Sequence, residues 1–117
     1  MDDFGSIHAR LRTIMLEAAG DLAVARDEPG DFVVRTQAID PKTQQPGWFG
    51  TVTIKKSYVA YHLMPLYEAP ELAADLSAGL TKRRQGKTCF NFKAIDQGLF
   101  EELSDLTRRA RAALAQG

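Results

Sequence analysis

The apolar residues of this sequence change their spacing twice along the chain, from a helical period to an alternating one and back. One helical stripe lies near the N-terminus, at Phe4, Ile7, Leu11, Ile14, Met15 and Ala18. A second lies near the C-terminus, at Leu99, Phe100, Leu103, Leu106, Ala110 and Leu114. Between them, Trp48, Val52 and Ile54 alternate with polar residues, which is the pattern of a half-buried strand. Helices that flank a block of strands predict an α+β fold.

The middle of the chain predicts an antiparallel sheet of about five strands. The segments with strand character are residues 22–26, 31–39, 48–56, 58–67 and 87–93. Pro65 and Pro70 end the run of four strand segments, and Pro70 suits the first position of a short inserted helix carrying Leu72, Leu76 and Leu80. Asp96 is placed to cap the final helix. Residues 1–117 are therefore expected to form one two-layer domain, with its three helices on one face of the sheet.

Composition limits the function classes. Fifteen basic and 15 acidic residues give a formal net charge of zero, which makes nucleic acid an unlikely partner. The single cysteine cannot form an internal disulfide and the N-terminus lacks a leader pattern, so a cytoplasmic location is expected. The longest uncharged apolar run, residues 57–67, is too short to cross a bilayer, and no membrane partner is expected. The partner is expected to be a small molecule or a protein, and a homodimer remains open.

The tripeptide Gly86, Lys87, Thr88 resembles part of a phosphate loop, but the match fails. Thr81 occupies the position where the loop requires its first glycine, and a helix here precedes a strand instead of following one. Gly86 is better interpreted as a left-handed glycine that caps the preceding helix. Lys82, Arg83 and Arg84 would then interact with the carbonyl end of that helix.

Two further hypotheses concern the same region. Basic residues interleaved with Phe90 and Phe92 suggest a sheet-based RNA binder, but the glycine and aromatic pattern of such proteins is incomplete. Cys89, His62 and Asn91 have the residue types of a thiol hydrolase if their strand faces coincide. A cysteine in mid-strand is more often a packing residue, so no catalytic residue is assigned. Two separated histidines and one cysteine give no metal-ligand spacing, and neither a metal site nor a cofactor is expected.

The binding surface is expected on the sheet face that the helices leave open. Strand alternation places Val59, Tyr61 and Leu63 on one face with the core phenylalanines. The opposite face would carry the candidate binding residues, which are Thr53, Tyr58, His62, Cys89 and Asn91. Tyrosine, histidine and asparagine combine stacking with hydrogen bonding, as expected of a ligand site. The sequence therefore favours a binding or interaction domain over an enzyme.

The segment SYVAYHLMPLY and the later segment QGKTCFNFKAIDQGLFEELSDL resemble the small bacterial YdhG-like domains of unknown function, grouped with the YjbR and frataxin-like proteins. The resemblance covers most of the chain and implies an α+β fold with helices on one face of an antiparallel sheet. It implies no enzymatic activity. Likeness to frataxin implies iron handling as an alternative function, carried by acidic residues. In this chain they are Asp2 and Asp3 at the start of the first helix, Glu17 within it, and Asp21, Asp27, Glu28 and Asp31 around the first strand.

Overall fold

The structure is a computed structural model that describes residues 3–20, 22–40, 45–86 and 88–115. The helices are α1 (Phe4–Ala19), α2 (Pro65–Glu68), α3 (Ala78–Arg83) and α4 (Gln97–Ala115), with a 3₁₀ turn at Pro70–Ala73. The strands are β1 (Ala23–Glu28), β2 (Asp31–Asp40), β3 (Gln45–Ile54), β4 (Val59–Leu63), β5 (Arg84–Gln85) and β6 (Cys89–Phe92). None of these helices is long and apolar enough to cross a membrane.

The strands form one antiparallel sheet in the order β1-β2-β3-β4-β6-β5. This architecture confirms the α+β prediction, with one more strand than expected. The additional strand is β5, whose two residues pair with β6 through Arg84 opposite Phe90 and Gln85 opposite Cys89. β5 is too short to produce an alternating pattern, so the sequence could not reveal it.

One face of the sheet packs against the two long helices. Alternate strand residues point into the core, which includes Phe32, Val34, Val52, Tyr61, Phe90 and Phe92. Helix α1 supplies Ile7, Leu11 and Met15, and α4 supplies Phe100, Leu103 and Leu106. At Gly50 a β-carbon would lie 2.5 Å from Met15 Cε and 2.7 Å from the carbonyl oxygen of His62. Met15 could move aside, but the His62 carbonyl belongs to the backbone of β4, so a side chain at position 50 would disturb the sheet itself.

The opposite face of the sheet is here called the polar face. It carries Asp31, Val33, Thr51, Thr53, Ala60, His62, Cys89 and Asn91. Val33 and Ala60 are only 8% and 6% exposed, yet neither belongs to the core cluster that includes α1 and α4. Each is flanked on both sides by a paired residue of a neighbouring strand, Arg26 and Thr51 for Val33 and Thr53 and Asn91 for Ala60. The polar face is thus a compact surface of half-buried polar groups.

The short helix expected from Pro70 to Leu80 is interrupted, which corrects the prediction of one continuous helix. Pro70 does begin the 3₁₀ turn, but α3 starts separately after Ser77. The Ser77 hydroxyl accepts a hydrogen bond from Leu80 N–H and donates to Glu102 Oε1 at 2.6 Å, and Ser77 N–H donates to Glu102 Oε2 at 2.7 Å. These bonds to α4 replace helical bonds, so the chain breaks and is capped again.

Gly86 has the positive φ that the sequence predicted, 75°, but its predicted position as a helix cap is wrong. Helix α3 ends at Arg83, and its C-cap residue Arg84 is already extended, at φ −74° and ψ 126°, because it enters the β5 ladder. Gly86 instead lies in the turn from β5 to β6. Asp96 caps α4 as expected, since its Oδ1 accepts a hydrogen bond of 3.1 Å from Leu99 N–H.

Candidate functional site

Strand register determines which polar-face residues are neighbours. His62 of β4 pairs with Thr51 of β3 on one side and with Cys89 of β6 on the other. Ala60 pairs in the same way with Thr53 and Asn91. The faces of His62 and Cys89 therefore coincide, as the thiol hypothesis required. Paired residues in adjacent strands project their side chains to the same side of the sheet.

The contacts of His62 and Cys89 do not form a catalytic pair. His62 Nε2 hydrogen-bonds the Thr88 hydroxyl at 2.7 Å, while the Cys89 thiol donates a weak hydrogen bond of 3.5 Å to Asn91 Oδ1. Burial lowers the pKa of His62. Burial also raises the pKa of the Cys89 thiol, and the positive charge of Lys55 offsets part of this effect. Both shifts favour the neutral forms, whereas an activated thiol requires a thiolate beside an imidazolium.

A recess of about 290 Å³ opens where the polar face meets the end of α3. Tyr58, just before β4, and Asn91 of β6 line it, and both are among the predicted binding residues. The other lining residues are Lys82 and Arg83 of α3, Gln85 of β5 and Lys93 after β6. Thr53, His62 and Cys89 are not among the described lining residues. The recess therefore unites part of the predicted set with residues from the basic segment.

The sequence contains the basic lining residues but does not indicate that they meet. Its pattern places Lys82 and Arg83 at a helix end, and it places Lys93 among the basic residues interleaved with Phe90 and Phe92. What no sequence pattern contains is the position of α3 relative to β6. The two-residue strand β5 fixes that position by joining the end of α3 directly to the sheet.

The recess is positively charged. Within the part of the chain that the structure describes, neither Lys82, Arg83 nor Lys93 forms an ion pair, and none of the lining residues is acidic.

The acidic residues near the other edge of the sheet form ion pairs with arginines. Arg12 forms an ion pair with Asp27, and Arg26 contacts Asp31 at 2.8 Å and Glu28 at 3.9 Å. The Arg12 hydrogen bond lowers the pKa of Asp27.

The acidic residues relevant to iron handling do not assemble a cation site in the described region. Among the residues whose placement is described, no group of three or more His, Cys, Asp or Glu side chains is close enough to hold a metal ion. Asp2 and Asp21 lie outside the described residues. Asp27 is instead paired with Arg12, and Glu28 and Asp31 share Arg26.

Comparison with known proteins gives no family, since no family model, no curated protein and no solved structure matches this chain.

Proposed function

We propose that this chain is a small binding domain that holds a small-molecule ligand in the recess between α3 and the polar face. The observation that carries the proposal is the composition of the recess. Two side chains expected on the binding surface, Tyr58 and Asn91, line it together with four further polar or charged side chains from three other segments. Polar groups that converge in a concavity are the features that orient a ligand and give a site its specificity.

The chemistry of the lining supports binding over catalysis. The amides of Asn91 and Gln85 both donate and accept hydrogen bonds, and the half-buried ring of Tyr58 offers an apolar surface with a polar tip. The thiol-enzyme alternative has less support because Cys89 and His62 engage other partners and both favour their neutral forms. The free, half-buried thiol is in keeping with a reducing, cytoplasmic location. The resemblance to the YdhG-like domains, which implies no enzymatic activity, also favours a binding domain over an enzyme.

A thermal-shift screen of metabolites against the whole chain tests this function, because a ligand selective for the native state raises the melting temperature. For each hit, amide chemical-shift mapping should show perturbations at Asn91, Gln85 and Lys93. Asn91→Ala should weaken binding by about fivefold or more through loss of hydrogen bonds.

Thr53→Ala is the matched control, since Thr53 lies on the polar face outside the described lining. It should leave affinity unchanged. Perturbations that cluster on α4 around Arg108 to Arg111 and leave β4 and β6 untouched would show that the site has been assigned to the wrong surface.

A further inference from the structure

We infer that the ligand of this recess carries a dianionic group, and that a phosphate monoester is the chemistry that fits it. The inference rests on the proposed function and specifies its ligand class. It is carried by three cations of the lining, Lys82, Arg83 and Lys93, which come from two separate segments of the chain.

The first step concerns charge. Three like charges around one recess repel one another, and no described carboxylate offsets them. An anion placed between them converts this repulsion into attraction, and its effect is strongest where protein walls exclude part of the solvent. A dianion offsets more of this charge than a monoanion does.

The second step separates this arrangement from ordinary helix chemistry. Lys82 and Arg83 occupy the last turn of α3, where basic residues interact favourably with the helix dipole. That explanation does not extend to Lys93, which follows β6 and approaches the recess from the sheet. A helix end also gives no reason for Asn91 and Gln85 to line the same recess.

The third step concerns donors. A phosphate monoester has three terminal oxygens, whereas a carboxylate has two, and the lining supplies donors of several kinds. Arg83 presents a planar fork, Lys82 and Lys93 present ammonium groups, and Asn91 and Gln85 present amide N–H groups. The Tyr58 ring lies beside them and can contact the organic part of the ester. A volume of about 290 Å³ suits a small phosphorylated molecule.

The test measures binding of phenyl phosphate, inorganic phosphate, malonate and phenol to the whole chain by amide chemical-shift titration. Phenyl phosphate should bind at least about tenfold more tightly than phenol, and more weakly as salt is raised, because exposed charges are screened. Arg83→Gln and Lys93→Gln should each reduce phenyl phosphate affinity by about three- to tenfold. Arg108→Gln is the matched control, since it also neutralises an exposed helical arginine, but on α4 and outside the described lining.

Each other outcome is distinct. If neutral molecules bind in the recess as tightly as phenyl phosphate, the proposed function stands and the dianion inference fails. Malonate binding equal to that of phenyl phosphate would overturn the phosphate assignment, and equal losses in Arg83→Gln and Arg108→Gln would show nonspecific attraction. A short single-stranded oligonucleotide that binds about a hundredfold more tightly than phenyl phosphate would identify a nucleic-acid surface instead. Hits that perturb none of the lining residues would overturn the proposed function itself.

Discussion

Gly86 is a position where the conformational cost of a substitution can be measured separately from its packing cost. Its φ is 75°, and among the described residues other than its chain neighbours no heavy atom lies within 4 Å of the position that a β-carbon would occupy. A β-carbon at this position therefore meets no such neighbour, and the cost of Gly86→Ala is mainly conformational.

Gly86→Ala should lower the free energy of unfolding by about 1 kcal/mol, and Gly86→Val by about 1 to 2 kcal/mol, because L-residues disfavour positive φ. Urea denaturation measures both. Gly98→Ala is the control, since Gly98 lies in the first turn of α4 and its β-carbon would make only an ordinary contact of 3.6 Å. That variant should be neutral or slightly stabilising. An unchanged urea midpoint for Gly86→Val would contradict the assigned geometry.

Cys89 should behave as a structural thiol. Because burial raises its pKa, the thiolate is scarce at neutral pH, and reaction with a thiol reagent should speed up only as pH rises above the ordinary thiol value. The native protein should react slowly and the urea-unfolded protein quickly. His62→Gln should leave the native rate unchanged, because His62 bonds Thr88 and not the thiol. Rapid modification of the native protein at pH 6, slowed by His62→Gln, would instead support the thiol-enzyme alternative.

At the residue scale, the sequence predicts which face of its strand a side chain lies on better than it predicts which side chains are neighbours. Alternation separates Cys89 from the core phenylalanines and His62 from Tyr61 within their own strands, since side chains of a strand alternate strictly. Register was not predictable, because pairing partners depend on turns and packing across the whole sheet. The meeting of Lys82 and Arg83 with Lys93 depends further on how one short helix lies against the sheet edge, which has no periodic signal.

At the scale of elements, the junction of β4 with α4 contains a buried polar link. Tyr61 and Thr107 are both 0% exposed, and their hydroxyl oxygens are 2.7 Å apart. Thr107 donates its own proton to the Leu103 carbonyl oxygen at 2.7 Å, so Tyr61 is the donor to Thr107. Burial raises the pKa of Tyr61, which keeps its proton in place.

This direction of donation predicts unequal effects of two substitutions. Thr107→Val leaves the Tyr61 hydroxyl buried without an acceptor and should cost about 1 to 3 kcal/mol of stability. Tyr61→Phe leaves Thr107 bonded to Leu103 and should cost about 0.5 to 1.5 kcal/mol. The double variant should cost less than the sum, as measured by urea denaturation in a double-mutant cycle. Strict additivity would indicate that the two hydroxyls do not interact.

The sequence predicts the helices that carry a long apolar stripe, but it does not predict where an element is ended by a contact with a distant residue. Helices α1 and α4 followed from spacing, and the side chains of Asp3 and Asp96 cap them at residues where caps are expected. The inserted helix was predicted as one piece because Leu72, Leu76 and Leu80 share a helical face. Its interruption at Ser77 depends on Glu102, 25 positions later, and no local pattern encodes that partner.

At the scale of the whole molecule, charge is distributed unevenly despite its zero sum. Near β1 and β2, Arg12 pairs with Asp27 and Arg26 is shared by two carboxylates, while three cations near β5 and β6 have no described acidic partner. A net charge of zero makes a polyanion an unlikely partner, but a neutral sum does not describe the local field. The two edges of the described sheet therefore differ in electrostatic character.

The two terminal helices pack against each other as well as against the sheet. Arg10 of α1 and Gln97 of α4 are hydrogen-bonded although 87 positions separate them in sequence. During synthesis on the ribosome, α1 emerges first and its apolar stripe has no complete partner until α4 has left the exit tunnel. The nascent chain thus cannot complete the burial of Ile7, Leu11 and Met15 until α4 is available, and apolar surface exposed in this way is prone to aggregate.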